Sequence, residues 1–100
     1  MNYEDLEFKF VNEYGVEKST MMSTPCLRYK GQFIAMMFDK EESLIIKVPE
    51  ARVNELINQG KGREFNFTKK RFKEWVLVPK GLQAEYENYV FEALEYAKQK

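Results

Sequence analysis

The segment Trp75-Val76-Leu77-Val78, which ends at Pro79, constrains the fold more than any other part of the chain. Side chains alternate between the two faces of a β-strand, so a strand that is apolar on both faces needs cover on each side. The segment from Phe33 to Phe38 has the same character. Two such segments predict a sheet that carries apolar side chains on both faces.

Three segments show the spacing of an amphipathic helix, with apolar residues recurring every three to four positions. They cover residues 2–14, about 50–59 and about 82–98. Pro49 is expected at the first helical position of the second helix, and Gly60 just after its last turn.

Five segments are predicted to be strands, and residues 19–24 are interpreted as a linker leading into them. Gly31 joins the first two strands in a hairpin, and a charged turn at 39–42 leads to the third, which points Leu44, Ile46 and Val48 inward. The strands cover residues 26–30, 32–38, 44–48, 63–67 and 70–78. The order α-β-β-β-α-β-β-α predicts one two-layer α+β domain over residues 1–100, with a mainly antiparallel five-stranded sheet and helices packed on it.

Composition excludes several classes of function. Sixteen cationic residues balance sixteen acidic ones, so net charge favours neither nucleic acid nor membrane. The absence of histidine excludes histidine-based catalysis and most zinc sites. A single cysteine fits a reducing cytoplasm, and no apolar run approaches a membrane span. We expect a cytoplasmic protein with no catalytic residue, cofactor or metal.

A basic segment between residues 61 and 73 is the first candidate site. It contains six cationic residues and one anionic residue, Glu64, and three phenylalanines are interspersed among them. Cations interleaved with aromatic rings suit single-stranded nucleic acid, and the same cations suit an acidic protein partner. A solvated hairpin whose phenylalanines point into the core is the third interpretation. The candidate partner-binding residues are Lys61, Arg63, Lys69, Lys70, Arg71 and Lys73.

The apolar strand from Phe33 to Phe38 is the second candidate site. If helices cover one face of the sheet, the other face is an apolar surface of the kind that marks association sites. Ile34, Met36 and Phe38 are the candidate self-association residues, and they predict a homodimer. A hydrophobic ligand pocket between sheet and helices is the alternative. Flexible methionines suit an adaptable surface or a core filler, and four lie nearby: Met21, Met22, Met36 and Met37.

Two further side chains have an alternative chemical interpretation. Cys26 is a reactive thiol if Arg28 or a lysine lowers its pKa, and otherwise a buried small hydrophobe. Glu74 lies within a strand on the same face as Val76, where it is expected to pair with Arg71 or with a cation of a neighbouring strand. A general-acid role for Glu74 is the alternative, and it requires a second polar partner that the sequence does not identify.

Six motifs together resemble the N-terminal domain of the TfoX/Sxy proteins, the regulators of natural competence. They are Met21–Leu27, Gly31–Ala35, Leu44–Pro49, Arg52–Ile57, Gly60–Gly62 and Lys73–Pro79. The similarity spans roughly residues 14–98, and Met21-Met22-Ser23 stands where the family pattern has Met-Phe-Gly. The resemblance implies a five-stranded antiparallel sheet with helices against it, no enzyme activity, and a single-domain relative without the further domain of the competence regulators.

These observations predict a non-enzymatic protein-interaction or regulatory domain. The apolar strand serves self-association, and the segment 61–73 binds an acidic partner. Weak binding of nucleic acid by that same segment is the alternative function.

Overall fold

The structure of the protein, a computed structural model, describes residues 3–21, 23–38, 43–67 and 70–99; for residues 66, 67, 70 and 71 it describes the backbone. The described residues form three α-helices, six strands and one 3₁₀ segment. In chain order they are α1 (Tyr3–Tyr14), β1 (Glu17–Met21), β2 (Thr24–Tyr29), β3 (Gln32–Phe38), β4 (Ser43–Lys47), α2 (Glu50–Asn58), β5 (Arg63–Phe67), β6 (Lys70–Val78), the 3₁₀ segment (Lys80–Glu85) and α3 (Tyr86–Lys98).

The six strands form one antiparallel sheet in the order β1-β2-β3-β4-β6-β5. The predicted α+β class with helices packed on an antiparallel sheet is confirmed. The predicted count of five strands is wrong, because residues 17–21 form an edge strand where a linker was expected. β1 pairs with β2 along its whole length, from Glu17 opposite Arg28 to Met21 opposite Thr24.

Local chemistry explains how neighbouring elements connect. Lys30 and Gly31 both have positive φ, 48° and 84°, which is the conformation of the two-residue hairpin turn that matches strand twist. Pro49 lies one position earlier than predicted, as the N-cap of α2, where its carbonyl accepts the amides of Arg52 and Val53. The last α-helix begins at Tyr86 rather than near residue 82, since Leu82 has the non-helical angles φ −103° and ψ 19°.

The three helices cover the same face of the sheet and form the main core with it. Leu6 and Phe10 of α1 and Val53 and Leu56 of α2 are fully buried there. The predicted stripe of α3 contributes buried side chains from Tyr86 to Ala97. As predicted, Leu44, Ile46 and Val48 point into this core. A described helix long and apolar enough to cross a bilayer is not found.

The opposite surface of the sheet carries a second apolar cluster, to which no described helix contributes a residue. We call this surface the open face. Six of its side chains are buried and four are partly buried. The buried members are Cys26, Phe33, Met36, Ile45, Phe65 and Leu77, and the partly buried members are Met21, Phe38, Phe72 and Trp75.

Curvature of the sheet explains how these side chains become buried. Phe38 on β3 and Phe65 on β5 have ring centroids 6.1 Å apart, although flat strands three positions apart would be separated by about 14 Å. The sheet therefore curls toward the open face, and the rings lean together.

A bulge in β6 completes the cluster. Glu64 pairs with Val76, but two residues further along β5 Asn66 pairs with Arg71, so β6 contains extra residues in this interval. These residues bring Phe72 against Phe65 and Trp75, with centroid distances of 5.5 and 5.0 Å.

Candidate functional site

Trp75 lies at the centre of the rings on the open face. Its indole stacks on Phe33 with centroids 4.3 Å apart and planes at 11°, and on Phe72 at 5.0 Å and 27°. Phe65 is a third neighbour at 5.4 Å. Stacked pairs of this kind stabilise a structure beyond their buried area. The stacked rings therefore cover much of each other's faces. Trp75 and Phe72 are half-buried, so part of each ring remains in contact with solvent.

Three cationic residues lie directly opposite members of this cluster. The strand register pairs Arg28 with Phe33, Lys47 with Trp75, and Arg63 with Leu77. Residues paired across an antiparallel ladder share a face of the sheet. The cations come from three strands that are distant in the sequence, so folding alone brings them to the same surface.

Arg28 is held in place by its neighbours on the open face. Its Nε donates to the Ser19 hydroxyl at 3.2 Å, and its Nη1 donates to the Gly31 carbonyl at 3.3 Å. Glu17 lies opposite Arg28 and accepts the Gly31 amide at 3.4 Å. This end of the site therefore presents a guanidinium whose orientation is fixed in part before any partner arrives.

The predicted basic residues are distributed over a turn and two strands. Lys61 is exposed in the turn after α2, where its amide donates to the Leu56 carbonyl at 2.9 Å. Arg63 and Lys73 are exposed on β5 and β6. Lys70 and Arg71 begin β6, where the structure describes the backbone, and Lys69 lies outside the described residues. Sequence reasoning missed the contributions of Arg28 and Lys47, since only the strand order reveals them.

The three predicted self-association residues do not share a surface. Met36 and Phe38 belong to the open face, whereas Ile34 is fully buried in the helix-side core. The register between β2 and β3 shifts at Leu27 and Arg28, which leaves Ile34 as the extra residue of a β-bulge. Phe33 therefore takes the position on the open face that strict alternation would assign to Ile34.

The methionine surface is likewise divided by the sheet. Met36 is buried on the open face and Met21 is half-buried there, whereas Met37 packs against the helix-side core. Met22 and the charged turn at 39–42 lie outside the described residues. A single adaptable methionine surface is therefore not formed by the described members of this group.

The two remaining candidate side chains, Cys26 and Glu74, make contacts within the fold. Cys26 is a fully buried member of the open-face cluster, as expected for a small hydrophobe. Glu74 points to the helix side and accepts a hydrogen bond from the Tyr96 hydroxyl of α3. The side chain of Arg71, one of its expected partners, lies outside the described residues. Among the described residues, no group of three histidine, cysteine, aspartate or glutamate side chains is placed to hold a metal ion.

Charge is distributed unequally between the two layers. The three α-helices carry nine acidic residues and three cationic ones. The described strands carry seven cationic residues and three acidic ones. The protein has no net charge, yet it presents an acidic helix layer and a basic sheet.

Ion pairs between helices stabilise the acidic layer. Arg52 of α2 binds both carboxylate oxygens of Glu92 on α3, at 2.8 and 3.1 Å, and it also contacts Glu55. The hydrogen bond to Glu92 is the main cause that raises the pKa of Arg52. Lys9 of α1 contacts Glu87 of α3, and this hydrogen bond raises the pKa of Lys9. Two cations and two carboxylates thus hold neighbouring helices together rather than facing a ligand.

Two shallow cavities border α3. One, of about 350 Å³, lies between Pro49 and the ring of Tyr96. The other, of about 390 Å³, is lined by Tyr29, Lys30 and Lys98, with the two ammonium groups 5.6 and 5.9 Å from the Tyr29 ring centre. The first is open to solvent and the lining of the second is more polar than apolar, so neither has the form of the predicted hydrophobic ligand pocket.

The fold and the site define a class of protein: an α+β domain whose antiparallel sheet is covered by helices on one face and presents a basic, aromatic surface on the other. No family model, curated protein or solved structure matches the chain. The resemblance to the TfoX/Sxy N-terminal domain therefore stays a prediction.

Proposed function

We propose that this chain is a non-enzymatic, cytoplasmic protein-interaction domain that binds an acidic segment of another protein on its open face. A regulatory role, as the resemblance to the TfoX/Sxy N-terminal domain implies, fits this activity. The observation that supports it is the register, which places Arg28, Lys47 and Arg63 opposite apolar members of the open face. Carboxylates of the partner pair with these cations, and an apolar side chain of the partner packs on the exposed part of Trp75.

The size of the apolar surface favours a small acidic segment over a homodimer formed by this face alone. The buried members of the cluster, such as Phe33 at 5 % exposure and Phe65 at 2 %, already bury one another. The four half-buried side chains offer on the order of 70 Å² each, about 300 Å² together. A standard interface needs about 800 Å² per partner, of which about 450 Å² is apolar.

The ring geometry also separates this proposal from nucleic-acid binding, the second candidate. A nucleobase stacks on a free ring face, but Trp75 already stacks on Phe33 and Phe72. The cations beside the rings remain the feature that favours nucleic acid, through contacts to phosphate. Single-stranded DNA is therefore the direct competitor in the test.

Fluorescence of Trp75, the sole tryptophan of the chain, measures binding at the site itself. The probe is a short synthetic glutamate-rich peptide with one phenylalanine, titrated at low and then at high salt. We expect its emission to shift to shorter wavelength on binding, and affinity to fall with salt because exposed ion pairs are screened. The matching lysine-rich peptide is expected to leave the emission unchanged.

Two variants with the same loss of charge locate the surface. Lys47→Gln together with Arg63→Gln removes two cations of the open face, and exposed ion pairs of about 0.2–1 kcal/mol each predict about 2- to 30-fold weaker binding. Lys18→Gln together with Lys98→Gln is the control, since Lys18 lies opposite Leu27 of the helix-side core and Lys98 lies on α3. Equal affinities of the two double variants would refute the proposal. Tighter binding of oligothymidine than of the peptide at low salt would replace it with the nucleic-acid function.

A further inference from the structure

The outer surface of α1 carries the most exposed large apolar side chain of the described residues. Phe8 is 73 % exposed. Glu4, Asp5 and Asn12 lie three or four positions away on the same helix and are exposed too, which places them on the same side as Phe8. An aromatic ring among acidic residues has no role in this chain's own core.

This surface is complementary to the open face. α1 presents one largely exposed ring with carboxylates beside it, and the open face presents half-buried rings with Arg28, Lys47 and Arg63 beside them. The charge difference between the acidic helices and the basic strands extends this complementarity over the two layers.

We propose that the open face also binds α1 of a second copy of this chain, with Phe8 as the anchor beside Trp75. The inference rests on the proposed function, because α1 is here the acidic segment that the open face accepts. An acidic partner and a second copy therefore compete for one surface, and self-association sets how much of the open face is available.

The positions of the two surfaces determine the form of the assembly. α1 packs on the helix side of the sheet, opposite the open face. A two-fold symmetric dimer would require α1 of each copy to reach the open face of the other copy at the same time, which these opposite positions do not allow. One copy therefore donates α1, and the next copy accepts it on its open face. Contacts of this head-to-tail kind leave a free donor and a free acceptor at the ends, so they extend rather than stop at a dimer.

The dimensions of the two surfaces are compatible. A twelve-residue helix such as α1 is about 18 Å long, and six strands span about 24 Å across the sheet. With one aromatic anchor and exposed ion pairs, the contact is weak and salt-sensitive.

Mixing two complementary variants tests this mode of contact directly. The first variant, Phe8→Ala, cannot donate α1 but keeps its open face and Trp75. The second variant combines Lys47→Glu and Arg63→Glu with Trp75→Phe, so that it keeps α1, cannot accept, and is silent in tryptophan fluorescence. Circular dichroism checks that both are folded. Mass is measured by sedimentation from about 10 µM to about 1 mM, the range in which weak contacts become populated.

The wild-type mass is expected to rise from 12.0 kDa with concentration, without a plateau at the dimer, and to return to the monomer at high salt. Each variant alone is expected to stay monomeric. The mixture is expected to form a one-to-one complex and to shift the Trp75 emission of the first variant. Adding Phe8→Ala to the second variant is expected to remove this shift.

Three results overturn the inference: a wild-type mass that is constant over the whole range, association of Phe8→Ala equal to wild type, or a dimer plateau that Phe8→Ala does not change. If one of these results is found while the glutamate-rich peptide still binds the Phe8→Ala variant and not the second variant, this inference alone fails and the proposed function stands. If the peptide binds neither variant, both fail.

Discussion

Phe33→Leu tests whether the open face is a core in its own right. Phe33 is 5 % exposed and stacks on Trp75 at 4.3 Å, although no described helix covers this side of the sheet. The substitution removes the stacked ring, worth about 0.5–1.5 kcal/mol, and leaves a small cavity. We expect the free energy of unfolding to fall by about 1–2 kcal/mol. For a domain of this size the melting temperature then falls by roughly 4–16 °C.

Phe8→Leu is the matched control, because it makes the same chemical change at a site that is 73 % exposed. Its expected effect is within about 0.5 kcal/mol. Urea denaturation followed by far-ultraviolet circular dichroism measures both variants. In Phe33→Leu the Trp75 emission is also expected to move to longer wavelength, since its indole loses the ring that covers one face. Equal stabilities of the two variants would show that the open-face rings do not form a core.

Two further substitutions test other parts of the fold. In Gly62→Ala the new Cβ would lie 2.6 Å from Cγ2 of the buried Val76, so we expect a loss of about 1–3 kcal/mol in thermal unfolding, whereas Gly81→Ala, with open space around it, is expected to change little. Burial raises the pKa of Tyr3, and its hydroxyl has no hydrogen-bond partner among the described residues. Tyr3→Phe is therefore expected to stabilise the protein at neutral pH by up to about 1 kcal/mol. Because the folded state holds the Tyr3 proton more tightly, the free energy of unfolding falls as the pH rises above about 10. Tyr3→Phe is expected to reduce this fall. If urea denaturation shows the same dependence of stability on pH in the variant, Tyr3 is not the group responsible.

Local patterns were sufficient to predict most of the elements of this fold. Spacing alone predicts the apolar stripes of α1, α2 and α3 and the apolar segments of β3 and β6. Each of these elements buries apolar residues of its own, so its sequence carries the pattern of that burial. β1 carries no such signal: none of its five residues is fully buried, and Glu17–Met21 is a strand because β2 offers it backbone hydrogen bonds. An edge strand of this kind forms because a neighbouring strand pairs with it, and its own residues carry no pattern that predicts this pairing.

The candidate site was less predictable than the fold for a related reason. Arg63 was found because it lies in the basic segment, but Arg28 and Lys47 reach the open face only through the strand order. Phe33 rather than Ile34 lies on the open face because of a bulge. A shift of one residue moves the side chains on one side of the bulge to the opposite face of the sheet. Register and bulges arise from pairing between strands, so alternation along a single strand could not predict them.

The strand order has a consequence for synthesis on the ribosome. β4 lies in the middle of the finished sheet, between β3 and β6, and its residues Ser43–Ile46 are all buried. Its second partner, β6, leaves the ribosome only after α2 and β5, so for a period of seconds at about 5–20 residues per second β4 is an apolar edge without its neighbour. Exposed edges of this kind pair readily with other chains. Until Val78 has emerged, the nascent chain therefore carries an apolar edge with which other chains can pair.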